Sequence, residues 1–387
     1  MAKILIISLT DTAYGVQHLL NQEFAIHLEE LGHETKLCKV YTGVDMGELH
    51  NELCKSNDLV LSFNNILLNE LVNSITNENV FELLSLPYCG YLLDHPAYHI
   101  NRLNTSHRTL EVACVDASHV PYIEKAFNHR AFYVPHGACA IKNAYPPLGD
   151  RPMKIMFAGT YLDPVEQIEC VRRGAANMQI IIADILVEAD ANPLKPLAEI
   201  VLARLRAEPL FEEEEIYRQA SLIFQPVDLF LRANRRIKVL DVLTEAGIKV
   251  ELCGANWEKS PFADKHPVHP PLPYDELMKK SLGDTQIVMN IHPNYVEGSH
   301  ERILTGMLGG GVGLTDANLF TEKHFTNGED ILSFDWDKLD ALPDMLHDVM
   351  NKPKKLEEIA LAGHENVRKN HLWKNRMETI LEHFSLA

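Results

Sequence analysis

Short β-branched apolar runs separated by amphipathic stretches of helical period recur along most of this chain, and that alternation limits the possible folds more than any other feature. Lys3 to Leu9 reads as a strand, Thr10 to Tyr14 as a turn, and Gly15 to Leu31 as a helix that stops at Gly32. Further strands are expected at Thr35 to Val40, Asp58 to Phe63, Tyr88 to Leu93, Glu111 to Val115 and Ala131 to Val134, with helices at Val80 to Leu84 and Pro121 to Phe127. Strands alternating with helices form a parallel sheet covered on both faces.

The Pro- and Gly-containing stretch Asn143 to Pro152 then interrupts the pattern as a linker, and a fresh strand follows at Lys154 to Ala158. From Pro164 to about Asn234 the sequence is helical throughout, which reads as an insertion after that strand. The alternation returns with a helix at Ile237 to Ala246, a strand at Lys249 to Cys253, a helix at Tyr274 to Ser281, a strand at Ile287 to Ile291, a helix at His300 to Leu308 and a strand at Val312 to Leu314. Helices at Trp336 to Met350 and Lys355 to Phe384, the latter interrupted near Gly363, close the chain. With 387 residues there is room for two such domains. They are expected at 1–150 and 151–365, with the insertion at about 165–234 and a terminal helix at 366–387. Two doubly wound Rossmann-like α/β domains imply a cleft between them.

Several functions are disfavoured by composition. Acidic residues outnumber Lys and Arg by 54 to 36, for a net charge of −18, so broad nucleic-acid binding lacks its basic face. MAKILIISL is too short for a signal peptide, and no segment approaches the roughly 18 apolar residues of a membrane span. Cys38, Cys54, Cys89, Cys114, Cys139, Cys170 and Cys253 contain no CxxC pair, which fits reduced thiols and a cytoplasmic location. Among the histidines there is no HExxH spacing, and His266 with His269 sits in a proline-rich loop without a nearby acid in sequence, so no metal site is expected.

In open α/β sheets ligands bind beyond the carboxyl ends of the strands. Four such ends carry polar clusters: Asp94-His95-Pro96, His136-Gly137, Gly159-Thr160-Tyr161 and His292-Pro293-Asn294. The last continues as NYVEGSHERILTGMLGGGVGLTD, where Ser299 is placed to cap a helix opening with His300, Glu301 and Arg302. Its free N–H groups, its dipole and Arg302 form a pyrophosphate site. Ser299 by itself is better read as the N-cap of an ordinary turn; the convergence of His292, Asn294, His300, Glu301 and Arg302 is what favours a ligand.

The run His292 to Asp316, with RRIKVLDVLTEAGIKVELCGANW from Arg235 to Trp257, resembles the group-1 glycosyltransferases, and among them the branch related to spore-maturation-protein (CgeB-like) enzymes. The pattern R-x-F-E-x-M-A-x-G-x-x-L-L-T-D falls on Arg302, Leu304, Thr305, Met307, Leu308, Gly310 and Leu314-Thr315-Asp316. The resemblance implies the GT-B fold, a nucleotide-diphosphate-sugar donor in the C-terminal half, an acceptor in the N-terminal half, no cofactor, no obligatory metal, and a final helix that crosses back to the first domain. It places Arg236 and Lys238, beside Arg235 at an expected helix start, near the donor phosphates with Gly159 and Thr160; three basic residues in four are equally a solvated helix end. It also puts Thr305 where many such enzymes hold the donor ribose with a glutamate, while Glu301 lies one turn earlier on the same face.

In the first domain Asp94 and His95, with His99 and Arg102 following, stand where a base for the acceptor hydroxyl would be needed. The plainer alternative is that Asp94 caps the turn before Pro96 and His95 packs on the sheet. The expected activity is sugar transfer to a glycan, protein or small-molecule hydroxyl. A nucleotide-sugar epimerase or hydrolase of the same fold, or a catalytically inactive nucleotide-sugar-binding protein, remains as the alternative. A nicotinamide enzyme is disfavoured because Ser8 to Gly15 holds a single glycine rather than GxGxxG. Sequence leaves the sugar, the nucleotide, the stereochemical outcome and the oligomeric state open.

Overall fold

The apolar runs of the first half pair side by side as β1 (Lys3–Leu9), β2 (Glu34–Val40), β3 (Leu59–Phe63), β4 (Tyr88–Leu92), β5 (Leu110–Cys114) and β6 (Arg130–Tyr133), in the order β2-β1-β3-β4-β5-β6. The coordinates are a computed structural model that describes residues 1–9, 15–40, 47–73, 75–76, 78–139, 145–172, 176–209 and 211–387. All pairings of this sheet are parallel, with Ile4 opposite both Thr35 and Leu59. Alternation sends Leu5, Ile7, Val60, Tyr88, Leu92, Val112 and Cys114 into one core. Phe63 and Tyr91 point to the other face, where Phe24 of the helix Val16–Glu30 and Trp373 of the helix Trp373–His383 meet them at ring-centroid distances of 4.9 Å (Phe24–Phe63), 5.0 Å (Phe24–Trp373) and 5.8 Å (Tyr91–Trp373). The C-terminal helix belongs to this unit, which comprises Met1–Ala140 and His371–Ala387. Ala138 N donates to His371 O at 2.7 Å and Arg376 Nε to His136 O at 3.1 Å, holding it there.

The second unit, Ile141–Asn370, repeats the plan. Its strands β7 (Met153–Ala158), β8 (Glu251–Cys253), β9 (Val268–His269), β10 (Thr285–Met289), β11 (Val312–Asp316) and β12 (Leu332–Phe334) are parallel in the order β12-β11-β10-β7-β8-β9. Numbered from β7 as the first strand this is 6-5-4-1-2-3, the dinucleotide-binding order, and the sheet switches direction of growth between β7 and β10. The loops leaving those two strands therefore diverge and open a crevice at their carboxyl ends. Buried Arg151 ties the opposite end of this junction, donating to Thr285 O at 3.0 Å and Gly309 O at 2.7 Å.

Two sequence expectations are corrected. The helices Pro164–Arg172, Ala176–Ala191 and Leu197–Arg206 do follow β7, but the fourth, Glu213–Glu245, runs unbroken past Asn234 and through Pro226. Arg235, Arg236 and Lys238 thus lie well inside a helix, whose buried Val227, Leu231, Val239, Leu240 and Leu243 keep the helical period across the polar Asn-Arg-Arg stretch that looks like a start. Gly363 does not interrupt its helix, Pro353–Asn370; a Cβ there would stand 2.4 Å from Asp330 O, so glycine permits close approach, and the break falls at His371–Leu372. The short β9 and β12 and the helices Gly47–Leu53 and Leu319–His324 had no sequence counterpart. The expected turn Thr10 to Tyr14, and Asn143 and Ala144 of the linker, lie outside the described residues. No described helix is long and apolar enough to cross a membrane.

Trp373 is fully buried among Phe24, Tyr91 and His136. Trp373→Ala is expected to cost the first unit about 3–5 kcal/mol, read from chemical denaturation of the full chain; a loss below about 1 kcal/mol would show that the C-terminal helix does not hold that unit together.

Candidate functional site

At the end of β7 the turn Gly159-Thr160-Tyr161 is fixed on both sides. Gly159 N donates to Cys253 O at 2.8 Å, Trp257 Nε1 donates to Gly159 O at 2.6 Å, and Tyr161 N donates to Ala255 O at 2.9 Å. Gly254 (φ 146°) faces this turn, and a Cβ there would meet Gly159 O at 2.2 Å. Against the turn lies Arg236, which donates from Nη1 to Thr160 O at 2.7 Å while its guanidinium stands 5.5 Å from the Phe157 ring centre. Arg302 comes to the same ring from the β10 side, 5.7 Å from its centre, and donates from Nη1 to Asn290 Oδ1 at 3.0 Å. Among the described residues neither guanidinium forms an ion pair with a carboxylate.

Such an arrangement is costly without an anion. Burial, reinforced by the like charges of Arg302 and Arg232 and partly offset by Asp228, pushes Arg236 down to about 9. Burial also lowers Arg302, with Glu301 and Tyr274 opposing. Two desolvated cations at a strand switch point suit a compact dianion.

The loop from β10 supplies the second half. His292 donates from its backbone N to Asp316 Oδ1 at 2.8 Å, and its Nδ1 lies 3.0 Å from the same oxygen; Trp336 Nε1 donates to Asp316 Oδ2 at 3.2 Å. Burial alone would raise the Asp316 carboxyl, but His292 and Arg235 outweigh it and hold the group below the ordinary carboxylate range. Asn294, in the left-handed region (φ 56°), bridges Arg235 Nη1 and Asp228 Oδ1, each at 2.5 Å. Asn318 Nδ2 donates to Tyr295 O and Gly298 O, pinning the loop to the residues after β11. Gly306 lets the next helix close on the sheet, since a Cβ there would lie 2.8 Å from Val288.

The cap differs from expectation. The helix is Glu301–Leu308 and its N-cap is His300, whose Nδ1 lies 3.3 Å from Arg302 N and 2.7 Å from Glu301 Oε2. Ser299 falls one residue early; it is 1 % exposed and its Oγ has no partner. Thr305 is fully buried.

The structure thus brings Gly159, Thr160 and Arg236 together with Arg302, and gathers His292, Asn294, Ser299, His300, Glu301 and Thr305 into the adjoining loop and helix. Lys238 is not part of the arginine group: its Nζ bonds both oxygens of Asp190, at 2.6 and 2.9 Å. Asn290 and Phe157 were missed. Asn290 directly follows an apolar strand and was there to be found; Phe157 sits inside one and carries no sequence signal. In the first unit His95 caps the turn Pro96–His99, accepting from Ala97 N at 3.1 Å, and its ring packs edge-on against His119 and Tyr122. His99 is pushed down to about 4, chiefly by burial and against the pull of Asp94, so it is neutral at pH 7. His269, expected to lack an acid, has Glu251 Oε2 at 2.6 Å from its Nε2, because β8 and β9 are neighbours. No group of three or more metal-ligating side chains occurs among the described residues.

Residues 235–382 match the family model described as glycosyl transferase-like. No curated protein matches the sequence. Among solved structures, Anabaena HepE in complex with UDP-glucose aligns over 100 % of both chains (11 % identity, TM-score 0.52). Sucrose-phosphate synthase from Thermosynechococcus elongatus aligns over 100 % of this chain and 98 % of its own (10 %, 0.53). An α-glucosyltransferase solved with UDP and a 13-mer DNA aligns over 99 % of both (9 %, 0.55). At these identities the likeness establishes the fold.

Because the Asp316 value is depressed on folding, its stabilising contribution is complete above the ordinary carboxylate value of about 3.9 and is lost as pH falls through the lower folded value. Asp316→Asn is expected to be less stable than the parent near neutrality, with the gap narrowing below about pH 4. Urea unfolding from pH 7 to pH 3 measures it; a gap that stays constant to the acid end contradicts the assignment.

Proposed function

We propose that the chain is a glycosyltransferase of the GT-B fold, which moves a sugar from a nucleoside-diphosphate sugar, UDP-linked in the first instance, to an acceptor hydroxyl on a glycan, protein or small molecule. The observation that carries this is the pair Arg236 and Arg302 on the two sides of the β7–β10 crevice, both desolvated and, among the described residues, neither in an ion pair with a carboxylate. A diphosphate leaving group gains negative charge as the glycosidic bond breaks, and two fixed guanidiniums next to a helix N-terminus stabilise that charge. In this reading they do the work a divalent cation does elsewhere, and the reaction needs no metal. HepE and the α-glucosyltransferase, each solved with UDP, support the choice of nucleotide at the level of fold.

We assign the chain further to the CgeB-like branch, on the pattern from Arg302 to Asp316. The first unit holds the acceptor, with Asp94 as the base; His95 is occupied as a cap and ring-packing residue. Among the described residues Cys38, Cys54, Cys89, Cys114, Cys139 and Cys253 form no disulfide, which supports action in the cytoplasm.

Calorimetric titration with UDP tests the reading. Arg236→Ala and Arg302→Ala are each expected to weaken UDP binding about tenfold or more, with the double variant abolishing turnover. Unchanged UDP affinity in both folded single variants would remove the arginine pair from the donor site.

A further inference from the structure

A cavity of about 840 Å³ lies within the second unit, walled by the end of the helix Ala176–Ala191 and the turn after it, by the long helix Glu213–Glu245, and by the segments that leave β11 and β12. That volume is in the range of small-ligand clefts. Phe157, Thr160, Arg236 and Arg302 take no part in its wall. Arg235 and Arg236, adjacent on the long helix, point about 100° apart. Arg236 reaches the turn after β7, whereas Arg235 stands 5.6 Å from the ring centre of Trp336, beyond β12, and lines the cavity. The cavity is therefore a place distinct from the arginine pair.

Its lining narrows the ligand by elimination. Three lysines reach it, and each is already paired with a carboxylate of the chain: Lys238 with Asp190 at 2.6 Å, Lys338 with Asp335 at 3.2 Å and Lys195 with Glu188 at 2.6 Å. Asp337 adds a further carboxylate. An anion would have to displace these carboxylates, and a cation would meet Arg235 and the ammonium groups, so neither finds an excess of opposite charge. An apolar ligand would desolvate the charged groups without replacing their hydrogen bonds. A neutral ligand rich in hydroxyls can donate to the carboxylates and accept from the ammonium groups at once. Between these groups lie apolar surfaces: the half-buried indole of Trp336, Leu339, and Leu194, which is 44 % exposed. A pyranose ring is divided in the same way, with hydroxyls around its rim and C–H groups on its faces. The indole is also fixed in advance, since Nε1 donates to Asp316 and Phe334 packs edge-on at 5.6 Å, so it need not be ordered when a ligand arrives.

We propose that this cavity binds a short neutral oligosaccharide, held apart from the donor chemistry. It gives the helical insertion a function, because Asp190 and the turn after it supply one wall. It also accounts for Lys238, which the arginine group leaves aside.

Trp336 supplies the readout. Of the three tryptophans, Trp257 and Trp373 are fully buried and Trp336 lines the cavity, so occupancy should change the intrinsic emission of the full chain. Maltotriose, cellotriose, chitotriose and mannotriose are each titrated with and without saturating UDP. At least one should shift the emission saturably, with an affinity that UDP alters by no more than about twofold. Ala191→Phe, which fills the cavity from an exposed position, should weaken that saccharide about tenfold or more, and Asp337→Asn about fivefold. Both should keep UDP affinity within about twofold by calorimetry. The proposal is overturned if none of the four saccharides shifts the emission, if the one that does binds equally well to both variants, if UDP displaces it, or if sodium phosphate competes with it. UDP binding without saccharide binding defeats the cavity site alone. Saccharide binding lost in the variants, in a chain that does not bind UDP, upholds the cavity site and defeats the donor reading.

Discussion

Two guanidiniums held against one phenylalanine ring, neither of them in an ion pair with a carboxylate among the described residues, set the main constraint on the second unit. The two like charges repel, and removal from water strengthens the repulsion. The fold resists it from both sides. Arg236 is anchored on a helix of 33 residues and bonded to a turn that Trp257 and Gly254 hold rigid. Arg302 is anchored by Asn290 on a short helix packed tightly through Gly306. Neither residue can swing out to solvent without breaking a hydrogen bond, Arg236 to the Thr160 carbonyl and Arg302 to the Asn290 side chain. Strain of this kind, maintained by surrounding packing, is what pre-organised electrostatic sites require.

The same constraint explains the long helix. Had the chain broken near Asn234, as its polar stretch suggests, Arg236 would sit in the frayed first turn of a new helix. Continuity places it mid-helix, where apolar residues on either side hold it in register. Arg232, one turn earlier, pairs with Asp228, and Asp228 in turn orients Asn294 in the β10 loop. The insertion is therefore coupled directly to the loop that completes the site.

Much of this was legible in sequence, and the limits have physical causes. Period-2 and period-3.6 patterns located most of the strands and their connecting helices, because strands buried on both faces leave a strong apolar signal. They failed at β9 and β12, which have two and three residues and too little length to show a period. Gly363 was misread because a glycine that ends a helix and one that admits a neighbouring carbonyl are identical in sequence. The strand-end rule points to the candidate site, yet it could not say which basic residue turns inward: Arg236 and Lys238 are two apart on one helix, and only the position of Asp190 on a separate helix draws Lys238 away. Nor could it separate Ser299 from His300 as the cap, since both residue types can accept a backbone N–H.

Glu301 and Thr305 can now be weighed against each other. Thr305 is wholly enclosed between its helix and the sheet, so its side chain cannot take over a contact that a glutamate would make by reaching outward. Glu301 lies one turn, about 5–6 Å, nearer the helix N-terminus, and its carboxylate rests 2.7 Å from His300 Nδ1. At that position it is stabilised by the helix dipole, but it also subtracts from the positive potential that Arg302 supplies to a phosphate. A carboxylate that were to hold a ribose would have to leave His300 and move away from the phosphates, along the helix toward the enclosed Thr305. Its geometry favours another role: Glu301 lies against His300 and moderates the charge on Arg302.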